Sequence, residues 1–70
     1  MNKSLYTVEF EELIVYDWEK KKDSIFECRR EAQIARHKLF QYYKQYFPQY
    51  KYRFKDFKIV EYIQKNKEAV

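Results

Sequence analysis

The chain has few side chains that could carry out catalysis, and they do not form a pair. It contains one histidine, His37, and one cysteine, Cys28. His37 falls on the polar side of a segment with helical periodicity, with no serine, aspartate or second histidine at a spacing that would orient it. A nucleophile needs a base within hydrogen-bond reach, so the sequence predicts no catalytic residue. We expect His37 to be a solvated helix residue and Cys28 to be a small buried apolar group.

Five acidic side chains near the start of the chain could be considered as a metal site: Glu9, Glu11, Glu12, Asp17 and Glu19. A strand alternates its side chains between two faces, so Glu9 and Glu11 would share a face and Glu12 would point to the other. Such carboxylates do not converge on one ion. A lone cysteine and a lone histidine also fall short of the four ligands of a structural zinc. We therefore predict no metal site, and an acidic, solvated edge instead.

The length of the chain limits what it can bind in its interior. It has 70 residues, and a chain of this size buries only roughly 60% of the surface that its unfolded form exposes. A ligand cleft, on the order of several hundred Å³, would use most of so small a core. The absence of glycine excludes the glycine-rich loops that cradle phosphates. We expect a single small domain over residues 1–70 that is not an enzyme and holds no cofactor.

Charge is distributed unevenly along the chain. Residues 1–19 contain one lysine and five acids, whereas residues 20–58 contain twelve basic and four acidic residues, and the net charge is +4. Such polarity attracts an oppositely charged partner or the unlike end of a second copy. No apolar run approaches the roughly 20 residues that span a bilayer, and the first residues lack the features of a signal peptide. We expect a cytoplasmic protein with no membrane partner.

Residues 50–55 alternate aromatic and basic side chains, which is the best argument for a nucleic-acid partner. Cations neutralise phosphates while rings stack on unpaired bases. In a regular strand, however, the rings of Tyr50, Tyr52 and Phe54 face away from the cations, so we expect them to pack under a helix. The candidate contacts to nucleic acid or to an acidic partner are Arg30, Lys51, Arg53 and Lys55.

The first third of the chain predicts a hairpin. Polar and apolar residues alternate from Leu5 to Phe10, as in a strand with one buried face. The β-branched and aromatic residues 13–16 either continue this strand to about Trp18 or follow a bend at Glu11 and Glu12, and we favour one long strand. The charged residues 18–23 predict a reversal, and residues 24–28 a second strand.

The clearest pattern predicts an amphipathic helix from about Arg29 to Phe47, ended by Pro48. Apolar side chains at spacings of three and four form one stripe: Ala32, Ala35, Leu39, Tyr42, Tyr43 and Tyr46. The alternative is a helix that begins at Ser24, because residues 24–27 also fit a capping box and because Ile25 and Cys28 extend the stripe backward at heptad spacing. That longer helix would favour a structural homo-oligomer.

Beyond Pro48, aromatic residues occupy even-numbered positions up to Phe54, whereas Phe57 and Ile59 occupy odd-numbered positions. A strand cannot keep both phases on one face, so we predict a turn or bulge at residues 54–57. A final strand follows from about Lys58 to Ile63, and residues 64–70 are expected to be a frayed tail.

These elements predict an α+β fold: a three-stranded antiparallel or mixed sheet in the order β-β-α-β, with one amphipathic helix packed on one face. If the crossover to the last strand is right-handed, the first strand lies in the middle. The second face of the sheet then stays bare, and apolar side chains on it would form a patch for a partner or a second copy. The residues expected in this patch are Leu13, Val15, Tyr16 and Trp18.

The chain resembles small phage-borne accessory proteins of AT-rich Gram-positive bacteria in two stretches. The first is residues 27–36, continuing to Phe40-Gln41-Tyr42-Tyr43, and the second is residues 54–60. The shared features are a hairpin, an alanine-spaced helix, a Phe-x-x-Phe turn at Phe54 and Phe57, and a closing strand. The resemblance covers about half of the chain. It implies a phage or mobile-element origin and a binder that blocks or redirects host machinery, including defence systems.

Together these features predict a non-enzymatic binding protein that docks a host or phage protein partner, as a monomer or a homodimer, and that inhibits a host defence or nucleic-acid-processing system. The alternative is a small basic nucleic-acid-binding accessory protein.

Overall fold

The computed structural model describes residues 3–64, which form an α+β fold, as predicted. Strand β1 and helix α1 are the longest elements, and β6 closes the sheet. The elements are β1 (Lys3–Phe10), β2 (Leu13–Ile14), β3 (Tyr16–Asp17), β4 (Lys22–Asp23), β5 (Ile25–Phe26), α1 (Arg29–Tyr46), 3₁₀ turns at Pro48–Tyr50 and Phe54–Asp56, and β6 (Lys58–Gln64). The predicted tail lies outside the described residues, except for Gln64, which ends β6.

Strand β1 is the centre of the main sheet, as the right-handed crossover predicted. Strand β6 pairs with it antiparallel over its whole length, from Lys3 opposite Gln64 to Glu9 opposite Lys58. On its other side, β1 pairs with two short strands in succession, β2 near its end and β5 near its middle. The sheet is therefore three strands wide, with one lateral position shared by β2 and β5.

A ring of backbone hydrogen bonds joins β1 to the two short strands. The Val8 amide donates to the Ser24 carbonyl at 3.3 Å, the Ser24 amide to the Val15 carbonyl at 3.1 Å, and the Val15 amide to the Val8 carbonyl at 2.8 Å. The Ser24 hydroxyl oxygen lies 2.7 Å from the Val15 carbonyl oxygen and 3.1 Å from that of Val8. All three residues are buried. This junction lets the chain leave the sheet after Val15, form a separate hairpin, and return at Ser24.

The first strand is not one long strand, so the favoured hypothesis was wrong and the alternative bend at the two glutamates is the structure. Glu11 and Glu12 have φ values of 50° and 68° and reverse the chain in a two-residue loop. Such loops match the twist of a hairpin and require positive φ at both positions, which glycine and asparagine adopt most readily. With no glycine in the chain, two glutamates take the left-handed conformation.

The excursion from the sheet is the β3–β4 hairpin, in which Tyr16 pairs with Asp23 and Asp17 with Lys22. The buried Asp17 carboxylate accepts hydrogen bonds from the Glu19 and Lys20 amides at 3.0 and 3.1 Å, which shapes the loop. The Tyr43 hydroxyl of α1 donates to the Tyr16 carbonyl at 2.6 Å. These contacts hold the hairpin against the helix.

Helix α1 has the bounds that the apolar stripe predicted, to within one residue. Its buried residues are Ala32, Ala35 and Leu39, whose small and medium side chains let it pack closely on Val8. Pro48 follows the C-cap residue Phe47 and prevents continuation of the helix. The alternative start at Ser24 is wrong, because residues 25–26 are the strand β5. Cys28 is the exposed N-cap residue rather than a buried apolar group.

The predicted turn at residues 54–57 is a 3₁₀ turn that delivers Phe57 to the core, where it is 1% exposed. Partly buried rings of Phe10, Phe40, Tyr43 and Tyr52 surround Phe57, with centroid distances between 5.5 and 6.0 Å. Most of these pairs are edge-to-face, the arrangement that aromatic quadrupoles prefer. Much of the core near the end of α1 is therefore aromatic.

Replacement of the strained glutamates should stabilise the fold. We expect Glu11→Asn with Glu12→Gly to raise the free energy of unfolding by about 1–2 kcal/mol, because both new residues tolerate positive φ. Urea denaturation monitored by circular dichroism measures this change. The double variant Glu11→Gln/Glu12→Gln removes the same charges but keeps both side chains, so it controls for repulsion. Equal stabilisation by both double variants would show that backbone strain is not the cause.

The Ser24 hydroxyl should contribute measurably to stability because it bonds within the buried junction. Ser24→Ala leaves buried carbonyl groups with fewer donors, and we expect a loss of about 1–2 kcal/mol in the free energy of unfolding. Ser4→Ala is the matched control, since its hydroxyl donates to Glu61 at an exposed site. Equal losses in the two variants would contradict the importance of the junction.

Candidate functional site

The face of the sheet opposite α1 is uncovered in the described part of the chain. Helix α1 packs on the face that carries Val8, so the alternate residues of β1 and their partners in register face the other way. We call this second face the open face. It is formed by Leu5, Thr7, Glu9, Ile14, Ile25, Lys58, Val60 and Tyr62.

A small hydrogen-bond network lies at the centre of the open face. The Glu9 carboxylate oxygen Oε2 accepts hydrogen bonds from the Thr7 hydroxyl at 2.7 Å and the Tyr62 hydroxyl at 2.5 Å. Tyr62 is in register with Leu5, so its side chain runs along the strand past Thr7 to reach Glu9. Thr7 and Glu9 are accordingly only 2% and 8% exposed although α1 lies on the other face of the sheet. The bonded carboxylate also raises the pKa of Tyr62, with a smaller contribution from desolvation.

Apolar side chains surround this network and remain accessible. Ile14 is 39% exposed, Ile25 43% and Tyr62 47%, while Leu5 and Val60 are half-buried. Single exposed apolar residues are ordinary on protein surfaces, but several on one face form a patch of the kind that marks interaction sites. Lys3 and Glu27 close one end of the face with an exposed ion pair of 3.1 Å, which contributes little to stability. The open face is therefore an apolar surface with a satisfied polar centre.

The predicted patch residues do not share one face. Val15 is buried in the core at 6% exposure, so its assignment to an exposed patch was wrong. Leu13 is 72% exposed but pairs with Phe10, which places it on the helix side of the sheet at its tip. Tyr16 and the 51% exposed Trp18 lie in the β3–β4 hairpin, where their rings pack edge-to-face at 4.9 Å. The reversal at residues 11–12 explains why the predicted patch does not form, because it ends the strand alternation on which that prediction was based.

The residues of the open face were missed by the sequence interpretation, although one signal points to them. Strand β6 contains apolar residues in both phases, with Ile59 and Ile63 in one and Val60 and Tyr62 in the other. Such a run is typical of a strand buried on both faces. Because residues 3–64 contain a single α-helix, which packs on the other face, the second apolar phase is left exposed.

The basic residues predicted to contact a partner are all exposed. They do not lie together with the aromatic rings on one surface. Arg30 lies in the first turn of α1, whereas Lys51, Arg53 and Lys55 follow its C-terminal end. Arg53 pairs with Asp56 at 3.1 Å. Tyr52 is partly buried as expected, but Tyr50 is 64% exposed, so the rings do not all pack under the helix.

Phe54 is held against the side of the helix rather than presented to a base. The Arg36 guanidinium lies 4.1 Å from the centre of the Phe54 ring and donates to the Phe54 carbonyl at 3.3 Å. His37 and Phe40 contact the same ring edge-on, with centroid distances of 5.9 and 5.5 Å. His37 is exposed and therefore a surface residue, as its position on the helix predicted.

A groove of about 490 Å³ lies between the β3–β4 hairpin, β5 and α1. Its charged lining mixes both signs: Asp17, Glu19, Glu27 and Glu31 with Lys20, Lys22 and Lys38. Mixed charges select neither anions nor cations, and Asp17 already bonds backbone amides. Among residues 3–64, no three histidine, cysteine, aspartate or glutamate side chains are grouped as a metal ion requires. No helix in that range is long and apolar enough to cross a membrane.

The sequence and the fold were compared with protein-family models, with curated proteins and with solved structures, and none of these matches the chain.

The Glu9 carboxylate should control the ionisation of Tyr62. In Glu9→Gln, the hydrogen bond from Tyr62 loses its charged acceptor and the negative charge that opposes tyrosinate is gone, so both contributions of Glu9 to the raised pKa weaken. We expect the pKa of Tyr62 to fall toward its ordinary value, measured by NMR titration of ring-labelled tyrosine. Glu12→Gln, in the exposed turn, is the control and should leave the Tyr62 titration unchanged. An unchanged pKa in Glu9→Gln would mean that the Glu9–Tyr62 contact does not persist in solution.

Proposed function

We propose that the chain is a non-enzymatic binding protein and that a protein partner docks on the open face. The observation that carries this proposal is the exposure of Ile14, Ile25 and Tyr62 on the sheet face opposite α1. Burial of apolar surface is the main favourable contribution to most protein association. The tyrosine contributes a ring with a polar tip, which is tolerated both in water and in an interface.

The bonded Glu9 makes this face suitable for a protein rather than for a nucleic acid. Its carboxylate lies beside Lys58, its partner in register, so the centre of the face carries one charge of each sign and offers no surplus of cations to phosphates. Since Thr7 and Tyr62 already donate to this carboxylate, a partner can cover the network without leaving an unpaired charge. An apolar partner surface with a polar rim therefore fits the open face.

The resemblance to phage-borne accessory proteins supports a more specific version of the proposal, in which the partner belongs to the bacterial host. The chain then acts by occupying a surface of a larger protein, such as a component of a defence or nucleic-acid-processing system. Its small aromatic core and the absence of a paired nucleophile and base among residues 3–64 favour action by binding. A cytoplasmic location agrees with this version.

A pull-down from bacterial lysate with matched variants tests the open face. Ile25→Lys places a charge on the open face, and Ile34→Lys makes the same change on the α1 side of the neighbouring groove, where Ile34 is 50% exposed compared with 43% for Ile25. We expect wild type and Ile34→Lys to retain the same partner, and Ile25→Lys to lose about 90% of it or more, because a lysine in an apolar interface is desolvated. Retention by Ile25→Lys equal to that of the control would contradict docking on the open face.

A nucleic-acid partner is the second candidate, and the charge of residues 28–58 favours it. This range contains nine basic and two acidic residues, and α1 carries five of the basic ones. Nuclease treatment in parallel separates the candidates, because material that is lost with nuclease but insensitive to Ile25→Lys supports nucleic acid. Retention of that material should fall steeply with salt, with a log–log slope of about −0.7 to −0.9 per phosphate contacted.

A further inference from the structure

The outer edge of β6 is free in the part of the chain that the structure describes, since β6 pairs there only with β1. The register shows which backbone groups point outward. The Val8 amide and carbonyl bond to Ser24 and Val15, on the side away from β6. Because backbone groups alternate in direction along β1, the amide and carbonyl groups of Thr7 and Glu9 point toward β6. There they form the hydrogen-bonded pairs with Val60 and Lys58.

It follows that alternate residues of β6 direct their amide and carbonyl groups away from the sheet. These residues are Ile59, Glu61 and Ile63. Exposed edges of this kind are templates for another strand, and proteins protect them with prolines, bulges or inward-pointing charges. Strand β6 has no proline, and its pairing with β1 is continuous over seven residues. The edge is therefore long and regular, and its central charge, Glu61, is paired with Arg29 of its own copy.

The sequence of β6 is symmetric in polarity about Glu61. It reads polar, apolar, apolar, polar, apolar, apolar, polar from Lys58 to Gln64. An antiparallel copy centred on Glu61 places Ile59 opposite Ile63 and Val60 opposite Tyr62, each twice. Aromatic and β-branched cross-strand pairs are among the favourable ones in sheets. Pairing with a strand of another protein would not require β6 to be symmetric, whereas antiparallel pairing with a second copy of β6 does.

We infer that β6 pairs antiparallel with β6 of a second copy, about a two-fold axis at Glu61, and that the chain forms a homodimer with one continuous sheet. The interface is isologous, so each favourable pair occurs twice. Ile63, at 59% exposure, and the outward backbone groups of three residues become covered. The inference does not depend on the proposed partner, because it concerns the chain alone.

The charges near the axis are compatible with this arrangement. The two Glu61 residues face each other, and like charges in this position are unfavourable by themselves. Each Glu61 carboxylate, however, accepts a hydrogen bond from the Ser4 hydroxyl at 2.8 Å and lies 3.7 Å from the Arg29 guanidinium of its own copy. The Tyr6 hydroxyl is 3.4 Å from the same carboxylate. The axis thus brings together two acids and two arginines, with no net charge.

Dimerisation through β6 would also enlarge the open face. A two-fold axis perpendicular to the sheet keeps equivalent faces on the same side, so both helices lie on one side and both open faces on the other. Val60 and Tyr62 of the two copies then lie next to each other across the axis. The result is a six-strand-wide sheet with one extended apolar surface.

Sedimentation equilibrium of the purified chain, over about 1 µM to 1 mM, tests the dimer. We expect a reversible monomer–dimer equilibrium for wild type. Ile63→Lys should raise the dissociation constant at least about 10-fold, because the change occurs twice in the dimer, whereas Ile34→Lys should leave it unchanged. A monomer at all concentrations, or equal dissociation constants for the two variants, overturns the inference.

Cysteine cross-linking tests the register independently of the lysine variants. In a Cys28→Ser background, Glu61→Cys places two thiols across the axis, with Cα atoms about 5.5 Å apart, within disulfide range. Ile63→Cys is the control, since its two copies are offset by four residues, about 13 Å. A covalent dimer under mild oxidation for position 61 but not for position 63 supports the inference. Equal cross-linking at both positions, or none, overturns it.

Discussion

The ring of backbone hydrogen bonds among Val8, Val15 and Ser24 is the constraint on which the remaining structure depends. It allows one side of β1 to be shared by two short strands, and it places Val15 in the core and the β3–β4 hairpin outside the sheet. Because the ring occupies the Val8 backbone on that side, the opposite side of β1 is left to β6. The free outer groups of β6 and the composition of the open face both follow from this arrangement.

The absence of glycine shapes the fold as strongly as any residue that is present. Positive φ is usually left to glycine, but four described residues of other types adopt it: Glu11, Glu12, Lys21 and Lys51. Each ends or reverses a segment, and each is a long, charged side chain that stays in water at a turn. The local backbone cost of these turns is offset by burial elsewhere, above all by the aromatic rings around Phe57 and by the close contact of α1 with Val8. Charged residues therefore serve as turn residues here.

The surface of the protein follows from the presence of one α-helix for two sheet faces in residues 3–64. Helix α1 can cover only the face of Val8, and the 3₁₀ turns and aromatic rings extend that same layer. The other face keeps an apolar surface whose polar centre, Glu9, is already satisfied by Thr7 and Tyr62. An unsatisfied carboxylate there would resist desolvation, whereas a bonded one can be covered by a partner. The open face and the β6 edge are adjacent, so binding at one can affect the other.

The sequence by itself determined the elements whose signals are local: the span of α1 from its apolar stripe and Pro48, the turn before Phe57, and the closing strand β6. It also indicated an α+β fold with β1 in the middle, because strand order follows from crossover handedness. Only the tertiary structure decided which apolar residues are exposed. The Glu11–Glu12 turn lacks the glycine or asparagine that marks such turns, so the bend was only an alternative. The junction at Ser24 is made by residues distant in sequence, and it places Val15 in the core and Ile25 at the surface. Local periodicity predicts faces within an element, but long-range hydrogen bonds decide which face meets water.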